Sequence, residues 1–97
     1  MSETGQDAPT VRSLKIVNEK GLHARASAKF VETAEGFDAR ARVSKDGLDA
    51  DGDSIMGLLM LAASKGTIIE VETSGAEAVP LLDALEDLVA DRFGEDT

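Results

Sequence analysis

The sequence predicts an α+β domain: a four-stranded, mostly antiparallel sheet with three helices packed on one face, in the order β-α-β-β-α-β-α. Apolar and polar residues alternate over residues 11–17, 39–45 and 67–73, the period of half-buried strands. Between and after these runs, apolar residues recur at spacings of three and four, the period of amphipathic helices. Asp46-Gly47 joins two extended runs and marks a tight hairpin. Ninety-seven residues make one small domain. Short connections and right-handed crossovers then leave few other arrangements.

Each element has its own warrant. Residues 1–10 are polar and acidic and read as a flexible tail, followed by the domain at 11–93 and a C-terminal tail at 94–97. In the first strand Leu14 and Ile16 share one face and Lys15 takes the other. Residues 18–21 form a loop. Residues 24–35 are rich in helix formers, with Leu22, Ala26, Phe30 and Ala34 at spacing four. Gly36 is placed to stop this helix in the left-handed conformation. Ala39, Ala41 and Val43 face one way in the second strand, and Arg40, Arg42 and Ser44 the other. The returning strand, around residues 48–50, is short.

Asp53-Ser54 then precedes Ile55, Leu58, Leu59 and Ala62, one helical stripe that Lys65-Gly66 ends. The fourth strand turns Ile69 and Val71 inward and Glu70 and Glu72 outward. Ser74 and Glu77 form a capping box, opening a helix through about Arg92. Its stripe is Ala78, Leu81, Leu82, Leu85, Leu88 and Val89, with Asp83, Glu86, Asp87 and Asp91 solvated. Pro80 does not suit a helix begun at Ser74 and favours a later start. Phe30, Phe37 and Phe93 read as core or near-core residues.

Composition narrows the function. Apolar residues make up 42% of the chain, yet there are three Phe and no Tyr or Trp, so the core is aliphatic. The chain has no cysteine, which excludes disulfides, thiolate zinc sites and thiol catalysis. A net charge of −9 offers no basic face to nucleic acid and disfavours anionic membranes. Partners with basic surfaces are its natural complement. The longest apolar run, residues 58–63, is too short to span a bilayer, and the first ten residues lack the apolar stretch of a secretory signal. A cytoplasmic protein is expected. The acidic stretch 49–53 misses the calcium-loop pattern, because Ser54 and Met60 stand where glycine and glutamate are required. No metal or cofactor is expected, and no phosphate-binding P-loop or dinucleotide fingerprint is present.

The one histidine, His23, lies in Gly21-Leu22-His23-Ala24-Arg25-Ala26-Ser27, after a glycine turn and at a helix start. A helix start presents unpaired N–H groups and partial positive charge, which together hold anions. A neutral imidazole there can accept a phosphoryl group, with Arg25 gripping two of its oxygens. The helix start and Arg25 both disfavour imidazolium. Charge-assisted hydrogen bonds of this kind contribute about 1.5–3 kcal/mol each. The plainer readings are a surface histidine and a solvated arginine. Ser54 reads first as a helix N-cap. Ile55, Met56 and Leu59 cannot all enter a core from one short helix, so part of that surface is free to dock a partner.

Gly21-Leu22-His23-Ala24-Arg25, with Asp53-Ser54-Ile55-Met56-Gly57-Leu58 downstream, resembles the histidine-containing phosphocarrier (HPr) family of the bacterial phosphotransferase system, over roughly residues 11–93. The resemblance implies an open-faced β-sandwich and a phosphoryl carrier rather than an enzyme. It implies that His23 takes phosphate on Nδ1 from enzyme I, itself charged by phosphoenolpyruvate, and passes it to enzyme IIA. Arg25 matches the family's phosphate-binding arginine, and Ser54 its regulatory serine, target of a kinase/phosphorylase in some bacteria. Ala24, Ala28, Ile55, Met56 and Leu59 would meet enzyme I and enzyme IIA. Two departures stand out: Ala26 replaces a common proline, and Asp53 precedes the serine where many members have a non-acidic residue. Monomer is the default. One rival is a regulatory interaction protein switched at Ser54 with His23 idle. Another is a small hydrolase of the acylphosphatase kind, for which Asn18 would have to orient water.

Overall fold

The computed structural model describes residues 9–97, so residues 1–8 of the expected tail lie outside the described residues. Strands β1 (Thr10–Lys15), β2 (Arg40–Lys45), β3 (Leu48–Asp51) and β4 (Ile68–Ser74) form one sheet in the order β1-β4-β2-β3. Every pairing in it is antiparallel, which sharpens the expected "mostly". Strand β4 lies between β1 and β2, with Leu14 opposite Ile69 and Val43 opposite Val71. Strands β1 and β2 therefore run parallel with β4 inserted between them. The β1–α1–β2 and β3–α2–β4 segments are two split β-α-β units. Right-handed crossovers then put both helices on one face.

The helices are α1 (Ala24–Glu35), α2 (Ile55–Met60) and α3 (Ala78–Ala90), followed by a 3₁₀ turn at Arg92–Gly94. Leu14, Val43, Ile69 and Val71 point from the sheet into the core. They meet Phe30, Leu58, Leu82 and Leu85 from the helices, all fully buried. Phe93 closes the core, while Phe37 packs at its edge. The opposite face of the sheet carries Lys15, Arg40, Arg42 and Glu70, all exposed. That one-sided burial makes it an open-faced sandwich.

Several boundaries differ from the sequence reading. Gly36 is not left-handed: its φ is −80°, and its N–H donates to Thr33 O at 3.1 Å, closing the helix with a tight turn that needs no special conformation. Helix α2 ends at Met60 rather than at Lys65-Gly66. Ala62 adopts φ +53° and reverses the chain, so Ala62 is exposed while Leu61 and Ala63 are buried. Lys45 Nζ reaches over from β2 and donates to Leu61 O at 3.0 Å, satisfying a carbonyl at that helix end. The capping box at Ser74 does not form, because Ser74 is still in β4. Helix α3 starts at Ala78, so Pro80 falls inside its first turn, where the missing N–H costs nothing. Glu77 instead accepts a hydrogen bond from Asp38 N at 2.7 Å. The helix also stops at Ala90, short of Arg92.

Candidate functional site

The His23 loop is built from its glycine outward. Gly21 adopts φ +66°, and a Cβ there would run into the Ala63 carbonyl and come within 2.8 Å of Ser64 Cα. No other residue fits. That close approach lets Leu22 N donate to Ala63 O at 2.8 Å, while the Leu22 side chain is buried. Buried Ser27 donates through Oγ to Leu22 O at 3.2 Å. The chain thus arrives at α1 already fixed.

His23 is itself the N-cap of α1. Its backbone is extended, and its Nδ1 accepts a hydrogen bond from Arg25 N at 3.3 Å. A nitrogen that accepts from an N–H carries a lone pair, so the ring proton sits on Nε2. Nε2 is hydrogen-bonded to Glu95 Oε2. The two ring nitrogens are thereby separated in role: Nδ1 faces the helix start with its lone pair, and Nε2–H faces a carboxylate. The side chain is 27% exposed, open to a large partner but not loose. The first turn of α1 carries no acidic residue, so its positive end is not neutralised locally. Arg25 is exposed, and its guanidinium makes no hydrogen bond or ion pair among the described residues. It is free to swing onto an anion at Nδ1. His23, Arg25, Lys20, Lys29 and Glu95 line one open cleft.

Glu95 was not foreseen. The residues read as a C-terminal tail lie against the loop: Glu19 N donates to Thr97 O at 3.0 Å, and Glu95 spans two partners. Its Oε1 accepts from Asn18 Nδ2 at 2.9 Å while Oε2 meets His23. Burial opposes ionisation of Glu95, but the hydrogen bonds from Asn18 and His23, with the nearby Lys20 charge, outweigh it. The carboxyl is held below the usual glutamate value. Asn18 is fully buried, and its Nδ2 also donates to Gly21 O at 2.9 Å. Both its N–H bonds are committed and its Oδ1 is buried, so no polar atom of this side chain is open to the cleft to orient a water, as the hydrolase reading required. No local pattern could reveal Glu95, because it lies 72 residues from His23.

Ser54 caps α2 as expected: its Oγ accepts from Gly57 N at 2.9 Å. Ala24 and Ala28 are exposed on α1. Ile55 and Met56 are exposed on α2 at 39% and 68%, while Leu59 is half-buried. Met60, 74% exposed, extends the apolar surface and was missed because the helix was read as continuing past it. Helices α1 and α2 pack together, so these side chains belong to one side of the molecule.

The chain matches the family described as "PTS HPr component phosphorylation site" over residues 10–91. It is 51% identical over 84 residues to the phosphocarrier protein HPr of Neisseria meningitidis, covering 87% of this chain and 94% of that one. The phosphocarrier protein HPr of Cupriavidus necator is 45% identical over the same shares. The crystal structure of HPr-C-His from Thermoanaerobacter tengcongensis superposes with a TM-score of 0.86 at 35% identity, over 91% of this chain and 99% of that one. HPr from Bacillus anthracis gives a TM-score of 0.81 at 35% identity, over 86% and 99%. With the fold, the sequence match and the relatives all agreeing, the chain belongs to the HPr family of phosphotransferase-system phosphocarrier proteins.

Proposed function

We propose that this chain is a phosphoryl carrier that accepts phosphate on His23 Nδ1 from phospho-enzyme I and delivers it to a histidine of an enzyme IIA. The carrying observation is the division of labour in the ring: Nδ1 keeps its lone pair toward the start of α1, and Nε2–H is bound to Glu95. In the first transfer an Nδ1–P bond forms as the donor histidine's N–P bond breaks in line, the donor nitrogen keeping the electron pair. The His23 ring gains positive charge as Nδ1 attacks. The Glu95 carboxylate stabilises that charge through Nε2–H, as an aspartate does in a catalytic triad. Backbone N–H groups of the first turn and the unengaged Arg25 guanidinium then hold the phosphate. Delivery runs the same steps backward onto the next histidine. Both exchanges are between similar N–P bonds, so positioning is what the protein supplies.

Large partners must reach the ring, which agrees with a surface loop beside exposed Ala24, Ala28, Ile55 and Met56, with Leu59 at the margin. Enzyme I and enzyme IIA would dock there, and a monomer working in the cytoplasm needs nothing more. Phosphorylation of Ser54 by a kinase/phosphorylase would place a strongly hydrated dianion beside the same apolar surface, and its desolvation cost would weaken docking. Its hydroxyl must first leave Gly57 N. Incubation with enzyme I and phosphoenolpyruvate is expected to give one acid-labile phosphate per chain, absent in His23→Ala. Labelling that survives in His23→Ala rules the reading out.

A further inference from the structure

The segment that delivers Glu95 to His23 is strained. Arg92 and Phe93 have φ of 57° and 54°, and Gly94 follows at 79°. Glycine takes this left-handed region freely; an arginine and a phenylalanine do not. Such a run persists only where its surroundings hold it. Two contacts do so from outside the segment. The Phe93 side chain is fully buried in the core. Lys29 Nζ donates to Phe93 O at 2.6 Å. Gly94 lies against the same ammonium, and a Cβ there would come within 3.2 Å of Nζ. Lys29 sits on α1, one turn beyond Arg25, on the helix that His23 caps. One rigid helix therefore sets both the position of the imidazole and, through a lysine, the position of the carboxylate beside it.

We infer that Lys29 is a positioning residue for His23: by holding the Phe93 carbonyl it sets Glu95 against Nε2–H, which keeps the Nδ1 lone pair turned to the helix start. The inference deepens the phosphocarrier reading and rests on it for its purpose. Lys29 acts through the backbone of the strained turn and does not touch the reacting nitrogen. A lysine suits the task because its long stem reaches from α1 to a carbonyl on another segment.

The test is nitrogen NMR of unphosphorylated, ¹⁵N-histidine-labelled full chain, about two pH units above the ordinary histidine value, where the neutral ring reports its tautomer. The wild type is expected to hold the proton almost wholly on Nε2. In Lys29→Met the Nδ1–H tautomer is expected to rise several-fold, with the backbone amide spectrum still that of the folded protein. Lys29→Arg is expected to restore the wild-type ratio. Gly94→Ala, which crowds Nζ from the other side, is expected to shift the ratio the same way as Lys29→Met. A wild-type ratio in folded Lys29→Met overturns the inference, even if transfer slows, because the lysine would then be a direct phosphate ligand. If Lys29→Met does not fold, a wild-type ratio in Gly94→Ala overturns it, as does failure of arginine to restore the ratio. Because no phosphoryl donor is present, failure of the carrier reading shows separately as absent labelling of the wild type.

Discussion

At the residue scale, two side chains of the His23 site have opposite freedom. Among the described residues Arg25 is unengaged, whereas Glu95 is held by Asn18 and His23. Arg25→Lys keeps the charge and loses the planar fork, so phosphoryl transfer from enzyme I is expected to slow by about tenfold with the fold intact. Rapid-quench kinetics checks this, and an unchanged rate assigns Arg25 to the solvated surface. Glu95 titrates below its usual value when folded. Its ties therefore contribute stability that is complete above the ordinary glutamate value of about 4.3 and is lost as pH falls through the lowered folded value. Glu95→Gln is expected to be less stable than wild type at pH 7, with the gap narrowing in acid; urea unfolding at several pH values measures it. The glycine, histidine and arginine were legible because they are consecutive or nearly so in the chain. Glu95 and its tie to Asn18 were not, since only the completed fold brings those segments together.

At the element scale, short helices depend on their ends. Helix α2 has six residues, too few to persist without tertiary support and caps. Ser54→Ala removes the hydrogen bond to Gly57 N and is expected to cost about 1 kcal/mol in denaturant unfolding. A cost near zero would mean that Asp53 replaces the cap. The start of α2 was legible because Ser54 is a residue that caps by its own chemistry. Its end was not: Ala62 turns left-handed without being glycine, and Lys45 reaches the last carbonyls from a different strand. The capping pattern at Ser74 misled for a related reason. Strand β4 goes on through Ser74 by pairing with Arg40, so ladder bonds won over a local cap.

At the scale of the whole molecule, alternation and helical stripes were sufficient for the fold. Leu14, Val43, Ile69 and Val71 face the stripe of α3, and two split β-α-β units follow from chain order. Leu85 is fully buried in that core. Leu85→Ala is expected to cost about 2–5 kcal/mol in denaturant unfolding, a large share of the stability of so small a domain. A cost below about 1 kcal/mol would place Leu85 outside the core. The same architecture leaves one face of the sheet bare and gathers the His23 loop, both shorter helix starts and the exposed Ile55, Met56 and Met60 on the helical side. The most direct measurement is phosphorus–nitrogen correlation NMR on chain phosphorylated by enzyme I and phosphoenolpyruvate. Coupling of phosphorus to His23 Nδ1 is the predicted result; phosphorus on Nε2, or on any residue other than His23, contradicts the account.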